Sequence, residues 1–227
     1  VVAVYSTFLQ RAYDQIMEEV ALQNLPVVFA IDRAGIVWED GVTHQGIFDI
    51  VFLRSIPRLT MMAPRDGAEL EEMLGFALTL GGPVSIRYPK EKIPAEPVPA
   101  ARRRVELGRA DILREGRDFT LVSLGTMAGP SLRAMDMLGR KGLSGTLINA
   151  RFVKPLDTEL FESLARKTRY IFTIEDGVVD GGFGSAVSES IPQRVIKMGL
   201  PCAFVPHGKR DALLEKYLAE GMTPIAD

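Results

Sequence analysis

The chain has 227 residues, 47% of them hydrophobic and 25% charged, with a net charge of −2. That composition suits one or two folded domains, offers no basic footprint for nucleic acid, and contains no apolar run near the ~20 residues that span a bilayer. A single cysteine excludes an internal disulfide and suits a reducing compartment. It is Cys202, which follows Pro201 at the head of an apolar run, and it is expected as a buried thiol on a strand.

The opening VVAVYS predicts a strand; the chain starts on Val1 rather than Met, inside that run, and is expected to be a piece of a longer polypeptide. LQRAYDQIMEEVALQ predicts a helix with Tyr13, Ile16 and Val20 on one face. PVVFAID is a continuous apolar run, as in a strand covered on both sides. The segment AIDRAGIVWEDGVTHQG then gathers Asp32, Arg33, Glu39, Asp40, His44 and Gln45 into a glycine-punctuated loop. Loops at the ends of parallel strands are where open α/β sheets bind ligands, and long loops dense in polar groups carry function. GIFDIVFLRSI predicts a short helix, LTMMAP a strand, RDGAELEEMLGFALTL a helix with an acidic first turn, and GPVSIRYP a strand stopped by Pro89.

KEKIPAEPVPAA, with Pro94, Pro97 and Pro99, resists helix and central strand alike and reads as an extended linker over 93–102. Beyond it, RVELGRADILREG predicts a hairpin and DFTLVSLG a strand, followed by a helix over GPSLRAMDMLGRKG closed at Gly142. SGTLINARFV predicts one strand, and DTELFESLARKT a helix capped by Asp157. YIFTIED, SAVSESIPQRVIKMG and PCAFVPHG continue the strand–helix–strand alternation, and RDALLEKYLAEG is the last helix. The expected fold class is therefore α/β, with two successive units, 1–92 and 103–227, built on mostly parallel sheets.

Several residues stand out chemically. His44, in a polar loop, reads equally as a proton shuttle or as a residue that fixes backbone; His207 reads as structural. Arg33 and Arg87 each end an apolar strand, where a guanidinium can grip a phosphate or form ion pairs with Asp32, Asp40 or a neighbouring helix. Arg54 and Arg58 are expected at solvent or an interface. Tyr5, Phe8 and Arg11 recur at steps of three and read either as core and surface residues of a strand-to-helix junction or, because Ser6, Thr7 and Gln10 make that junction unusually polar, as a pocket for a flat hydrogen-bonding ring with Phe8 as its stacking face. GGFGSA lacks the spacing of a dinucleotide fingerprint; it reads as a tight strand-to-helix turn whose N–H groups could also meet an anion. No His, Cys and carboxylate spacing marks a metal site.

Taken together, YSTFLQRAYDQ, LPVVFAIDRAGIVWEDGVTHQGIFD, the strand ending in RYPK, INARFVKPLD, IFTIEDGVVDGGFGSAV and FVPHG resemble the 1-deoxy-D-xylulose-5-phosphate synthases, thiamine-diphosphate enzymes related to transketolase. The resemblance implies the latter part of a pyrimidine-binding domain over 1–92 and a transketolase C-terminal-type domain over 103–227. It also implies a homodimer, in the cytoplasm or in a plastid. The implied whole enzyme condenses pyruvate, with loss of CO2, and glyceraldehyde 3-phosphate into an isoprenoid and thiamine precursor. Its thiamine diphosphate and Mg²⁺ would be held by an N-terminal domain outside this chain. The catalytic glutamate would also lie outside; Glu18 and Glu19 do not replace it, and the chain alone is expected to be inactive. By the same resemblance Phe8 stacks on the cofactor's aminopyrimidine, with Tyr5 and Arg11 close to cofactor and substrate and Tyr5 among the substrate-binding residues. Arg33 and Arg87 bind the aldehyde's phosphate, and His44 and Asp40 manage pyruvate-derived oxygens and protons. The alternatives are another transketolase-type enzyme, the β-type half of a 2-oxoacid dehydrogenase, or a non-catalytic module that kept the fold.

Overall fold

The structure, a computed structural model, describes residues 1–38, 40–93, 98 and 104–222. The expected linker at 93–102 lies outside the described residues except for Ile93 and Val98, as does Glu39.

Two five-stranded sheets form the frame. In chain order the first half gives β1 (Val2–Tyr5), α1 (Ser6–Leu9), α2 (Tyr13–Gln15), β2 (Val28–Asp32), α3 (Asp49–Arg54), β3 (Thr60–Met62), α4 (Gly67–Ala77) and β4 (Val84–Arg87). The second half gives β5 (Asp111–Arg114), β6 (Phe119–Ser123), α5 (Ala128–Gly139), β7 (Gly145–Asn149), β8 (Phe152–Lys154), α6 (Thr158–Lys167), β9 (Ile171–Val178), α7 (Phe183–Ser190), β10 (Val195–Leu200) and α8 (Arg210–Glu220). The sheets run β1-β2-β4-β3-β8 and β10-β9-β6-β7-β5. Every pairing is parallel except β3 with β8 and β5 with β7, as the strand–helix alternation predicts. All of β4 and β7 is buried, including the polar residues Ser85, Arg87, Thr146 and Asn149. Asp66 and Asp157 cap α4 and α6 by accepting N–H bonds from Glu69 and Leu160. Among the described residues no helix is long and apolar enough to cross a membrane.

The structure corrects four expectations. Residues 6–21 are helical throughout but irregular, tightening at Gln10–Ala12 and widening at Ile16–Ala21. The segment before β5 forms no hairpin; β5 pairs instead with β7, 30-odd residues later in the chain. SGTLINARFV is two strands, because Arg151 takes a left-handed φ of 60° and turns the chain out of one sheet and into the other. PCAFVPHG is a loop: the strand is VIKMGL, and Pro201 ends it, so Cys202 is exposed rather than buried on a strand.

One apolar cluster runs through both sheets, from Leu9, Ile31, Ile50 and Met61 to Val122, Ile148, Phe161 and Phe183. A buried polar knot accompanies it. Glu69 on α4 accepts from Arg151 Nε at 2.8 Å, from the Arg65 N–H at 2.8 Å, and from Asn149 Nδ2 at 3.0 Å. Asp111 of β5 sits 3.2 Å from Arg65 and 3.6 Å from Arg151. Two cations and two anions thus pair with one another in the interior, as buried charges require, although Arg65 Nε and Asp111 Oδ1 make no hydrogen bond.

Candidate active site

The carboxyl ends of β1, β2 and β4 lie side by side, with Tyr5 in register with Asp32 and Ile31 with Arg87. The chain enters a helical turn directly after Tyr5, so the three-residue spacing brings Phe8 and Arg11 to one side. Tyr5 and Phe8 stack with centroids 5.0 Å apart and planes 18° from parallel. The His44 ring meets Phe8 edge-on at 5.6 Å, and the Arg11 guanidinium stands 5.8 Å from the same ring. On the far side the Arg33 guanidinium lies 3.7 Å from the Tyr5 centroid, a cation–π contact. Six of the seven expected site residues are thereby joined: Arg33, Tyr5, Phe8, His44 and Arg11 form a ladder, with Asp40 on Arg33. Phe8 remains 41% exposed, an aromatic face open to a ligand.

The loop that carries the ladder's polar end is tightly built. Arg33 has a φ of 58°, rare for a side chain with Cβ, and its N–H donates to its neighbour Asp32 at 2.7 Å. Its guanidinium pairs with Asp32 and, at 3.2 Å, with Asp40. Burial works against the charged form, but Asp40 and Asp32 outweigh it and raise the Arg33 pKa. Lys90 grips Asp40 through both carboxylate oxygens, at 3.1 and 3.2 Å. That hydrogen bond, helped by Arg33 and opposed by burial, holds the Asp40 pKa below its ordinary value. Gly35 and Gly46 exchange backbone hydrogen bonds of 2.7 and 2.9 Å, closing the loop. A Cβ on Gly46 would stand 2.0 Å from the Arg33 carbonyl oxygen, so glycine is required there. His44 ends a single turn, Val42–His44, with Nδ1 2.9 Å from the Thr43 hydroxyl.

Arg87 stands apart from the ladder. It is buried at the end of β4, donating from Nε to Asp49 at 3.0 Å and from Nη2 to the Asp176 carbonyl at 2.9 Å. Burial disfavours its charge, but Asp49 more than restores it and the pKa is raised. The ion pairs weighed against phosphate binding are therefore present at both arginines, with Asp32 and Asp40 for Arg33 and with the α3 residue Asp49 for Arg87.

A cleft of about 310 Å³ opens beside the ladder, lined by Ser6, Thr7, Gln10, Thr43, Asp49 and Phe204 among others. Thr7 Oγ1 is buried with no hydrogen-bond partner, a polar atom that a ring with donors and acceptors would satisfy. The aromatic face and this orphan atom fit the ring end of a thiamine. Among the described residues no group of three His, Cys, Asp or Glu is placed to hold a metal ion.

The glycine-rich turn is filled from within. Glu175 accepts from the Phe183 and Gly184 N–H groups, both at 2.8 Å, at the start of α7, and this carboxylate takes the place of an outside anion. Burial pushes its pKa up to about 7 against the lowering effect of those N–H donors. His207 is exposed. Arg54 donates to the Gly181 carbonyl at 2.8 Å and pairs with Glu189, so it does lie at an interface, the one between the two halves. Sequence reading passed over Asp49, Lys90, Glu175, Asp176 and Arg210. The only local signal was the clustering of Lys90, Glu175 and Asp176 beside strand ends, in RYPKE and IED; the ion-pair partners of Asp49, Lys90, Asp176 and Arg210 lie 34 or more positions away, and Glu175 bonds N–H groups eight and nine residues on.

The transketolase pyrimidine-binding domain family matches residues 1–96, and the transketolase C-terminal domain family matches 108–221. The chain is 50% identical over 223 residues to a 1-deoxy-D-xylulose-5-phosphate synthase of Pelotomaculum thermopropionicum, covering 96% of this chain and 35% of that protein. It is 48% identical over 229 residues to the synthase of Symbiobacterium thermophilum, covering 99% of this chain and again 35% of the relative. The chain thus spans about a third of the length of the curated relatives it matches. A solved split-gene transketolase, described as an inactive β4 tetramer, superposes with a TM-score of 0.87 at 33% identity, covering 95% of this chain and 70% of that one. With both domain families matched and the fold shared, the chain belongs to the transketolase family and carries its pyrimidine-binding and C-terminal domains, in a sequence similar throughout to the 1-deoxy-D-xylulose-5-phosphate synthases.

Proposed function

We propose that this chain is the part of a 1-deoxy-D-xylulose-5-phosphate synthase that receives the ring end of thiamine diphosphate and the aldehyde substrate. The observation that carries this reading is the Arg33–Tyr5–Phe8–His44 ladder at adjacent strand ends. The complete enzyme condenses pyruvate, with loss of CO2, and glyceraldehyde 3-phosphate into 1-deoxy-D-xylulose 5-phosphate. Thiamine diphosphate, when bound, supplies the electron sink for that chemistry. Phe8 offers the aminopyrimidine a stacking face, with Tyr5 backing it and Arg11 alongside. Arg33 holds the aldehyde's phosphate; its strained backbone and rigid loop aim the fork before substrate arrives. Arg87 stands behind it as a fixed positive charge. Asp40, kept ionised by Lys90, orients Arg33 and accepts hydrogen bonds from substrate hydroxyls. Thr43 occupies His44 Nδ1, so proton exchange with substrate oxygens falls to Nε2. Diphosphate and Mg²⁺ would be held by the N-terminal domain of the complete enzyme, outside these 227 residues. A homodimer in the cytoplasm is the setting we infer.

The test is the Michaelis constant for glyceraldehyde 3-phosphate in the complete enzyme with Arg33→Ala. Loss of a charge-assisted phosphate contact is expected to raise it by roughly tenfold or more, with the constant for pyruvate little changed. An unchanged constant rejects the reading.

A further inference from the structure

One ion pair from the second half of the chain grips the loop that carries Arg33, Asp40 and His44. Asp176 of β9 and Arg210, which opens α8, are 4% and 7% exposed and lie 2.7 Å apart. Asp176 Oδ1 accepts the Ile36 N–H at 3.0 Å, and Arg210 Nη1 makes a long contact of 3.5 Å with the Ile36 carbonyl. Both polar backbone groups of one loop residue are thus answered by the two ends of one salt bridge. The fit leaves no slack: a Cβ on Gly35, whose φ is 81°, would stand 2.0 Å from Asp176 Oδ2.

The same two residues reach the other strand-end segment. Arg210 Nε pairs with Glu91 at 2.8 Å, next to the Lys90 that grips Asp40. The Asp176 carbonyl takes Arg87 Nη2 at 2.9 Å. Ile36, Arg87 and Glu91 therefore converge on a single pair, and the guanidinium answers three directions at once. Lysine, a point charge on a flexible stem, cannot reproduce that fork.

We infer that Arg210, locked to Asp176, is a positioning residue for recognition of the aldehyde's phosphate. It fixes the loop three residues beyond Arg33 and the segment beside Lys90, so it sets the distance between Arg33 and Asp40 without touching substrate. The inference rests on the function proposed above.

The test compares Arg210→Lys, Arg210→Gln and Asp176→Asn in the complete enzyme, with glyceraldehyde 3-phosphate and unphosphorylated glyceraldehyde as alternative acceptors. The Michaelis constant for the phosphorylated acceptor is expected to rise about tenfold, against less than about twofold for the unphosphorylated acceptor and for pyruvate. Arg210→Lys should behave like Arg210→Gln, because geometry rather than charge is lost. Asp176→Asn keeps an acceptor for Ile36 and carries the test if the Arg210 variants do not fold. Equal losses on both acceptors, or a lower melting temperature with unchanged constants, overturn the inference. Arg33→Ala is measured in parallel. If it raises the constant for the phosphorylated acceptor and the Arg210 and Asp176 variants do not, this inference alone fails. If Arg33→Ala has no effect, the functional reading itself falls.

Discussion

Replacing Glu69 with alanine should unlock the two halves of the molecule. Glu69 is 2% exposed, and its two oxygens receive the Arg65 N–H, Arg151 Nε, Asn149 Nδ2 and, at 3.1 Å, Arg65 Nη1. Its removal leaves the two buried guanidinium groups without their shared acceptor, with Asp111 at 3.2 and 3.6 Å from them and Asp66 at 3.5 Å from Arg65 among the carboxylates that remain. Breaking a buried pair from one side costs about 3–5 kcal/mol, against a total stability of about 5–15 kcal/mol for a typical domain. With a urea slope of about 2–3 kcal/mol/M, the unfolding midpoint should fall by roughly 1.5 M. Urea unfolding followed by far-ultraviolet circular dichroism and by the fluorescence of the single tryptophan, Trp38, measures it. A midpoint shift below about 0.3 M would refute the argument, because it would mean that the guanidinium groups find water or new partners at little cost.

Three further outcomes are expected. Glu175 has a folded pKa of about 7 against an ordinary 4.5, so the native state binds its proton more tightly than the unfolded chain between those values. Stability from this group therefore falls as pH rises through that window and is level above it. The melting temperature of Glu175→Gln should gain on the wild type from pH 4.5 to 7 and run parallel beyond; curves parallel throughout would assign the carboxylate an ordinary pKa. His44→Ala in the complete enzyme should slow turnover by about 10²-fold or more while cofactor affinity changes modestly, and a variant with normal turnover strips His44 of its role. The isolated 227-residue chain should not decarboxylate pyruvate, and detectable CO2 release from it would show that the chemistry needs no more than these residues.

Local pattern carried much of this structure. The spacing of Tyr5, Phe8 and Arg11 already implied one face, because a helical turn begins directly after the strand. The charged loop 32–45 was visible as polar residues interrupting buried strands. What stayed hidden was set by distant partners. Arg87 resembles Arg33 in sequence, yet Asp49 and Asp176 draw it into the interior. Arg151 sits inside an apolar run that reads as one strand; the left-handed turn there is tied down by Glu69, 82 residues earlier. Cys202 follows an apolar strand and precedes apolar residues, but Pro201 ends the ladder and leaves the thiol outside. Glu175 and Asp176 are adjacent and alike in sequence, and only the folded contacts send one to a helix start and the other to the loop 32–45.

The exchange of β8 between sheets bears on how this polypeptide could be dissected. Phe152 and Lys154 pair with Met62 and Met61 across the edge of the first sheet. A cut in the proline-rich stretch would therefore not release two self-sufficient modules. The N-terminal piece would present Thr60–Met62 as a naked edge, hydrophobic and free to recruit other strands. The C-terminal piece would carry an orphan strand with nothing to extend. Module swapping in this chain would have to move both sheets together.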